Sequence, residues 1–341
     1  SDDSRHPLCE PCEHPRPTNR EDRSDGSRHP LSVCLLGARP GVIVARPPVT
    51  LSGAEAVARS EEVVVQRRFC QLDVFTDLPY LGNPLAVVVD GDGLTAEEMQ
   101  RFAQWTNLSE TTFLLQPDNP AADYRVRIFT PAAELPFAGH PTLGSCRAWL
   151  QHGGSPADPN RIVQECGVGL VTVHRSTEGH LAFEAPALLR GGAVDERDVH
   201  EAAQGLGLDV GDIIDSAWVD NGPGWMGLML RSADAVLAVR PGPMRLTVGI
   251  IGAYDAPAPC AFEVRAFYSE AGVTLEDPVT GSLNASLAQW LISSGRAAAP
   301  YTVSQGTAMG RAGRVSITTD ASGVVRVGGD VVVCVDGTVE L

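Results

Sequence analysis

Two segments of similar design, far apart in the chain, constrain its fold more than any other feature. Each is a glycine turn that carries an ionisable residue and opens onto an apolar helix, at residues 137–150 and 277–291. A shift of 141 positions (286 − 145 = 141) aligns four residues of the first segment with identical residues of the second: Ser145, Trp149, Leu150 and Gly154 with Ser286, Trp290, Leu291 and Gly295. This repeat predicts two similar halves, each built around one buried helix.

The glycine turns also suggest a binding site. The first turn of a helix has unpaired backbone N–H groups and the positive end of the helix dipole. Two such ends that face each other would hold a small carboxylate and place acid–base groups on either side of it.

Short β-rich runs separated by turn signals surround the two helices, which are predicted at 141–151 and 282–293. A further helix is predicted over 94–105, where Thr95 and Glu98 have the spacing of a capping box, and helical turns are predicted over 244–251. The pattern predicts an α+β fold with two pseudo-symmetric lobes, in each of which a curved, mostly antiparallel sheet wraps around a central helix. We expect the apolar side chains of both helices to be buried: Leu143, Ala148, Trp149, Leu150, Leu283, Leu287, Trp290 and Leu291.

The domain organisation follows from where apolar residues begin. Residues 1–62 are rich in Asp, Arg, Pro and Ser and are predicted to be a flexible extension, in which Cys9, Cys12 and His14 form half of a zinc pattern that we attribute to chance. The N-terminal lobe is predicted at 63–186, completed by a C-terminal strand at about 328–341. The C-terminal lobe is predicted at 187–327.

Charge and composition exclude several functions. The chain has 26 basic and 42 acidic residues, a net charge of −16, which argues against binding to nucleic acid or to anionic membranes. All the basic residues are arginine, so Schiff-base chemistry and a P-loop lysine are excluded. The eight dispersed cysteines, together with the lack of a membrane-length apolar run and of a secretory signal, predict a cytoplasmic protein.

Three residues are the main candidates for chemistry. Glu110 lies between Leu108 and Phe113, where partial desolvation would raise its pKa toward neutrality, as a general base requires. His140 and Asp277 lie at the two glycine turns. Each has a plain alternative, because Glu110 could be a solvated loop residue and the other two could simply cap helices or turns.

Taken together, six motifs resemble the PhzF family of phenazine-biosynthesis isomerases and their relatives. They occur in order at residues 73–76, 82–87, 107–111, 127–131, 134–141 and 276–282, and the resemblance extends over about 65–341. It implies the diaminopimelate epimerase-like fold, with the site in the cleft between the lobes, a homodimer, and no cofactor or metal. The extension has no counterpart in the family pattern.

The resemblance also implies residue roles. Glu110 corresponds to the carboxylate that shuttles the proton, with His140 and Asp277 as its catalytic companions. Gly139, Gly281, Ser282 and Asn107 are assigned to binding a small carboxylated substrate. The type reaction moves a proton between two ring carbons of trans-2,3-dihydro-3-hydroxyanthranilate.

Two alternatives stay open at this point. One is an amino-acid epimerase or racemase on the same fold, although neither glycine turn carries the thiol that a two-cysteine racemase uses, and Cys146 lies farther into its helix. The other is a non-catalytic protein that binds small metabolites. The walls of the pocket, predicted at 218–225 and 268–275, would decide the substrate.

Overall fold

The structure is a computed structural model, and it describes residues 65–270 and 272–341. Within these ranges the α-helices are Ala96–Thr106 (α1), Gly139–Gln151 (α2), Glu196–Leu206 (α3), Ala233–Ala238 (α4) and Gly281–Ser293 (α5). Short 3-10 helices lie at Val210–Asp212 and Thr307–Met309.

The strands of the same ranges form one continuous, mostly antiparallel sheet. They are Gln66–Val74 (β1), Asn83–Val88 (β2), Glu110–Leu115 (β3), Tyr124–Phe129 (β4), Glu134–Leu135 (β5), Arg161–Cys166 (β6), Gly169–Arg175 (β7), Leu181–Glu184 (β8), Arg190–Gly192 (β9), Ile213–Asp220 (β10), Met226–Leu230 (β11), Val248–Ala253 (β12), Phe262–Glu270 (β13), Val273–Asp277 (β14), Tyr301–Gln305 (β15), Gly313–Thr319 (β16), Val325–Gly329 (β17) and Val331–Glu340 (β18).

Each of the two glycine-led helices lies against its own part of the sheet. Helix α2 packs against β1–β4, β6–β8 and β18, which we call the first lobe, and α5 packs against β10, β16 and β17 of the second lobe, β9–β17. The lobes are joined where β17 of the second lobe pairs with β8 of the first. This is the predicted α+β architecture, whereas the predicted division of the chain at residues 186 and 327 stays a prediction.

The two central helices are related by a different offset from the one that the sequence suggested. Both have 13 residues, and their first glycines, Gly139 and Gly281, are 142 positions apart (281 − 139 = 142). The glycines that follow the helices with positive φ, Gly153 at 95° and Gly295 at 70°, have the same separation. The alignment by 141 is therefore wrong by one residue, because it matched side-chain identity rather than backbone conformation.

Burial of the central helices is less complete than the sequence predicted. Leu143, Ala148, Leu283, Leu287 and Leu291 are at most 1% exposed. In contrast, three residues near the C-terminal ends of the helices are only half-buried: Trp149, Leu150 and Trp290. They lie where the helices approach the surface, and Trp149 stacks on Tyr124 with a centroid distance of 5.3 Å.

Local sequence signals were right for some elements and wrong for others. Thr95 and Glu98 form the predicted capping box at the start of α1. The helical turns predicted over 244–251 are wrong, because residues from Val248 on form β12 between β11 and β13. A buried central strand is apolar on both faces, so its pattern resembles that of a buried helix. Strands β10 and β14 were not predicted.

The predicted extension, with Cys9, Cys12 and His14, lies outside the described residues. Across 65–270 and 272–341, no helix is both long and apolar enough to cross a membrane.

Candidate active site

The N-terminal ends of α2 and α5 meet where the two lobes contact each other. A Cβ atom on Gly281 would lie 3.3 Å from Cα of Gly139 and 3.3 Å from the backbone nitrogen of His140. A Cβ atom on Gly139 would lie 2.6 Å from the ring of Phe183. Because both helices begin with glycine, their N-terminal ends can lie in direct contact.

Neither helix is capped by the side chain of its own N-cap residue. The N-cap residues Ala138 and Thr280 form no side-chain hydrogen bond to the first turns of α2 and α5. The first-turn N–H groups and the positive ends of both helix dipoles are therefore available to an anion. This arrangement can bind a carboxylate in a strongly acidic protein without an arginine at the site.

Glu110 and His140 lie side by side at this junction. Glu110 is the first residue of β3 and His140 is the second residue of α2. Oε2 of Glu110 is 3.4 Å from Nε2 of His140, and the two side chains are 15% and 6% exposed. Both atoms are buried and have no hydrogen-bond partner among the described residues. Each atom is therefore free to form a hydrogen bond with a bound molecule.

Burial sets the protonation of the cluster. It raises the pKa of Glu110 to about 8, and the negative charge of Asp277 adds to this effect. Burial lowers the pKa of His140 to about 3, although a hydrogen bond to the backbone of Pro84 opposes this shift. Burial also raises the pKa of Asp277 to about 6, although hydrogen bonds from Thr280 and Asn83 oppose it. At pH 7 the imidazole is therefore neutral, Asp277 is mostly ionised, and Glu110 is mostly protonated.

Asn83 connects the two lobes at this site. It begins β2, is fully buried, and donates from Nδ2 to Oδ1 of Asp277 at 3.1 Å and to the carbonyl of Val279 at 2.8 Å. The same nitrogen is 3.5 Å from Nδ1 of His140. Its Oδ1 is a further buried atom without a hydrogen-bond partner in the described chain. From the sequence, Asn83 is a turn residue within the motif at 82–87, and no local signal indicates its contacts with Asp277 and Val279, which lie 194 and 196 positions away.

Gln305 supports the turn that precedes α5. Its Nε2 donates to Oγ1 of Thr280 at 3.0 Å and to the carbonyl of Asp277 at 3.2 Å. Its Oε1 accepts from the backbone N–H of Thr280 at 3.0 Å and from Nδ2 of Asn284 at 2.7 Å. Thr280 in turn donates to Oδ2 of Asp277 at 2.5 Å. No local signal in the sequence indicates this scaffold role of Gln305.

The remaining predicted binding residues differ in their placement. Ser282 lies at the start of α5, where its Oγ accepts from Nε1 of Trp225 at 3.0 Å and its carbonyl accepts from Asn221 at 2.9 Å. Part of the predicted pocket wall therefore contacts α5. Asn107 is the exposed C-cap of α1, with φ of 52°, and forms none of the contacts that join the other residues. The binding roles of both stay predictions.

Other chemistry-bearing groups lie apart from this cluster. Cys146 is fully buried, and burial raises the pKa of its thiol to about 12. The described residues contain no group of three or more His, Cys, Asp or Glu side chains arranged to hold a metal ion. A groove of about 1,080 Å³ beside α3 is lined by residues such as His200 and Arg245 and includes none of the site residues.

Asp277→Asn is expected to lower the pKa of Glu110 by roughly one pH unit, because it removes a nearby negative charge. Burial, the larger cause, remains, so the pKa stays above its usual range. Carbon-13 NMR titration of glutamate carboxyl groups measures this directly, with exposed Asp77→Asn as the control. An unchanged Glu110 titration would refute the coupling.

Glu110→Gln is expected to stabilise the protein at alkaline pH. The carboxyl pKa rises from 4.5 in the unfolded chain to about 8 in the folded protein. The folded state therefore holds more protons between these values, and the free energy of unfolding falls as pH rises through them. The free energy of unfolding of the variant, relative to that of the native protein, should therefore be on the order of 3 kcal/mol higher at pH 8 than at pH 5. Urea unfolding at both pH values tests this, with exposed Glu97→Gln as the control; an equal gain at both would contradict it.

Comparisons with known proteins agree with the family resemblance. The family profile PhzC-PhzF, described as phenazine biosynthesis-like protein, matches residues 72–337. Antisense-enhancing sequence 1 of Schizosaccharomyces pombe is 34% identical over 297 residues, which cover 80% of this chain and 99% of that protein. The trans-2,3-dihydro-3-hydroxyanthranilate isomerase of Pseudomonas fluorescens is 34% identical over 249 residues, which cover 70% of this chain and 86% of that protein.

Solved structures show the same fold. A phenazine biosynthesis protein of the PhzF family from Bacillus anthracis has a TM-score of 0.69 and 24% identity, covering 81% of this chain and 100% of its own. A predicted epimerase from Pseudomonas aeruginosa has a TM-score of 0.67 and 27% identity, covering 80% and 99%. The predicted α+β, epimerase-like fold is thus confirmed, and the chain belongs to the PhzC-PhzF family of phenazine biosynthesis-like proteins.

Proposed function

We propose that this protein is a cofactor-independent isomerase that moves a proton within a small carboxylated metabolite, with Glu110 as the general acid and base. The observation that carries the proposal is the contact between Glu110 and His140 at the meeting point of two uncapped helix ends. Relatives named as isomerases support the reaction class.

The helix ends would bind the substrate carboxylate. Backbone N–H groups of Gly139, His140, Gly281 and Ser282 belong to the first turns of α2 and α5, which side chains leave uncapped. The closeness of the two turns would hold one carboxylate against both dipoles. The carbon next to the carboxylate would then lie beside Glu110.

Glu110 would carry the proton. A carboxylate whose pKa is about 8 is a stronger base than an ordinary glutamate, and it can return the proton to a second carbon on the same face of the substrate. His140, held neutral by burial, would orient the carboxyl group of Glu110 by accepting its proton in a hydrogen bond. Asp277 would keep the pKa of Glu110 high through its negative charge.

The first substrate to test is trans-2,3-dihydro-3-hydroxyanthranilate, the compound in the name of the Pseudomonas relatives. The purified full chain is incubated with this compound in deuterated buffer, and proton NMR follows its conversion and the position of any deuterium. Isomerisation, or deuterium incorporation into a related cyclic carboxylate, is expected. A ligand that raises the melting temperature but exchanges no hydrogen would favour the non-catalytic alternative instead.

An amino-acid epimerase is a second candidate, because the predicted epimerase from Pseudomonas aeruginosa has the same fold. Such an enzyme would require a second base on the opposite face of the α-carbon. Cys146 is poorly suited, since it is fully buried with a raised thiol pKa. Deuterium entry at the α-carbon of a single amino-acid enantiomer, with formation of its mirror image, would establish this activity.

The proposal extends to the setting of the enzyme. We propose a cytoplasmic homodimer that acts on small molecules and binds neither nucleic acid nor membranes, in keeping with the net charge of −16. Analytical ultracentrifugation measures the oligomeric state, and a monomer at micromolar concentration would contradict it.

A further inference from the structure

Arg265, on β13, is a buried cation for which the proposed reaction has no direct use. It is only 3% exposed, and its Nε and Nη2 donate to Oε1 and Oε2 of Glu276, both at 2.8 Å. Its Nη1 donates to the carbonyl oxygens of Val236 at 3.2 Å and Val239 at 2.7 Å, at the end of α4. One guanidinium group thus fastens β13, β14 and α4 together.

This clamp lies directly behind the site. Glu276 is followed in β14 by Asp277, and successive side chains of a strand point to opposite faces of the sheet. Glu276 is opposite Phe267 on β13, and Asp277 is opposite Ala266. Arg265 therefore holds the outer face of the strand whose inner face presents the Asp277 carboxylate.

We propose that Arg265 is a positioning residue for Asp277, which fixes β14 through Glu276 and neutralises the negative charge next to the site. The inference rests on the proposed function, in which Asp277 acts on Glu110. It gives a role to an ion pair that touches neither Glu110 nor His140.

The charges around Asp277 determine the direction in which its pKa shifts when the Arg265–Glu276 ion pair is changed. Three titratable groups interact electrostatically with Asp277: Glu110 on β3, Tyr268 on β13 and Glu276 on β14. His140 on α2 is linked to Asp277 through Asn83, whose Nδ2 contacts both side chains. Burial is the largest cause that raises the pKa of Asp277, and the negative charge of Glu276 raises it further. Loss of Arg265 leaves the negative charge of Glu276 uncompensated and should raise the pKa of Asp277 further. Loss of the Glu276 charge should lower the pKa of Asp277.

The test is a carbon-13 NMR titration of aspartate carboxyl groups in the full chain, with the Asp277 signal assigned by its loss in Asp277→Asn. Arg265→Met is expected to raise the titration midpoint of Asp277 by about one pH unit, and Glu276→Gln to lower it by a smaller amount. Arg265→Lys, which keeps the charge, should leave the midpoint close to that of the native protein. Shifts in the same direction, or none, in the Met and Gln variants would overturn the proposal.

A double variant keeps the test decisive if Arg265→Met does not fold. Replacement of both partners, Arg265→Met with Glu276→Leu, removes the buried charges together and is tolerated better than loss of one. It should lower the Asp277 midpoint as Glu276→Gln does and reduce kcat about tenfold with little change in KM. Native titration together with native kcat in the double variant would refute a positioning role.

The two proposals fail separately. The titration is measured on the free protein without substrate, so the opposite shifts can appear even if no isomerisation is found. In that case positioning of Asp277 stands and the isomerase function falls. If the protein exchanges hydrogen of its substrate but the two variants do not shift the Asp277 midpoint in opposite directions, the isomerase function stands and the positioning role of Arg265 falls.

Discussion

Glu110→Gln should lower turnover of the protein's substrate at least about 1,000-fold, because the amide cannot accept and return a proton. Glutamine has nearly the same shape, so the contact with His140 at 3.4 Å and the packing of β3 should persist. Substrate binding, which depends on the helix ends, should change little. A deuterium-exchange assay measures the rate, and isothermal calorimetry measures the affinity.

The matched control is Glu97→Gln, an exposed glutamate on α1 that lies outside the cluster. It should keep native turnover. The urea unfolding measurements at the assay pH show whether the variant is folded, so that inactivity can be assigned to loss of the carboxylate. Exchange at a native rate in the Glu110 variant would remove this residue from the reaction.

Gly281→Ala should weaken carboxylate binding at least tenfold, because the added methyl group lies between the two helix ends. Its nearest neighbours would be backbone atoms, including the nitrogen of His140 at 3.3 Å, and these cannot rotate away. The helices would have to separate by a few tenths of an ångström, at a cost of about 1–3 kcal/mol in stability. An N–H group proposed to bind the carboxylate would also be partly covered.

Gly211→Ala is the control for this variant. A Cβ atom there meets nothing within 4 Å, and its backbone is outside the left-handed region. It should leave both the melting temperature and KM near native values. If Gly281→Ala binds a substrate carboxylate as tightly as the native protein, the anion is held elsewhere.

Local signals in the sequence were sufficient for much of the fold and for the outline of the site. Glycine turns before apolar runs indicated α2 and α5, and the capping box indicated α1, because each depends on residues a few positions apart. The placement of Glu110 beside apolar residues anticipated the direction of its pKa. The six motifs indicated the family.

What was missed depends on contacts between distant parts of the chain. Asn83 donates to Asp277 across 194 positions, and Gln305 orders a turn about 25 positions before it. The short strand β14 was not recognised, although it delivers Asp277 to the site. Residues 248–253 form a strand because β11 and β13 lie on either side, which their own pattern does not reveal.

The pairing of β18 with β1 bears on how the protein is made. Gln66 lies opposite Glu340, so the first described strand has its partner at the far end of the chain. During synthesis, β1 cannot complete this pairing until residues 331–340 have left the ribosome. Such distant pairing is slow to form, and until then the backbone N–H and C=O groups along this edge of β1 are open to other chains. Yield on expression should therefore depend strongly on temperature and on chaperones.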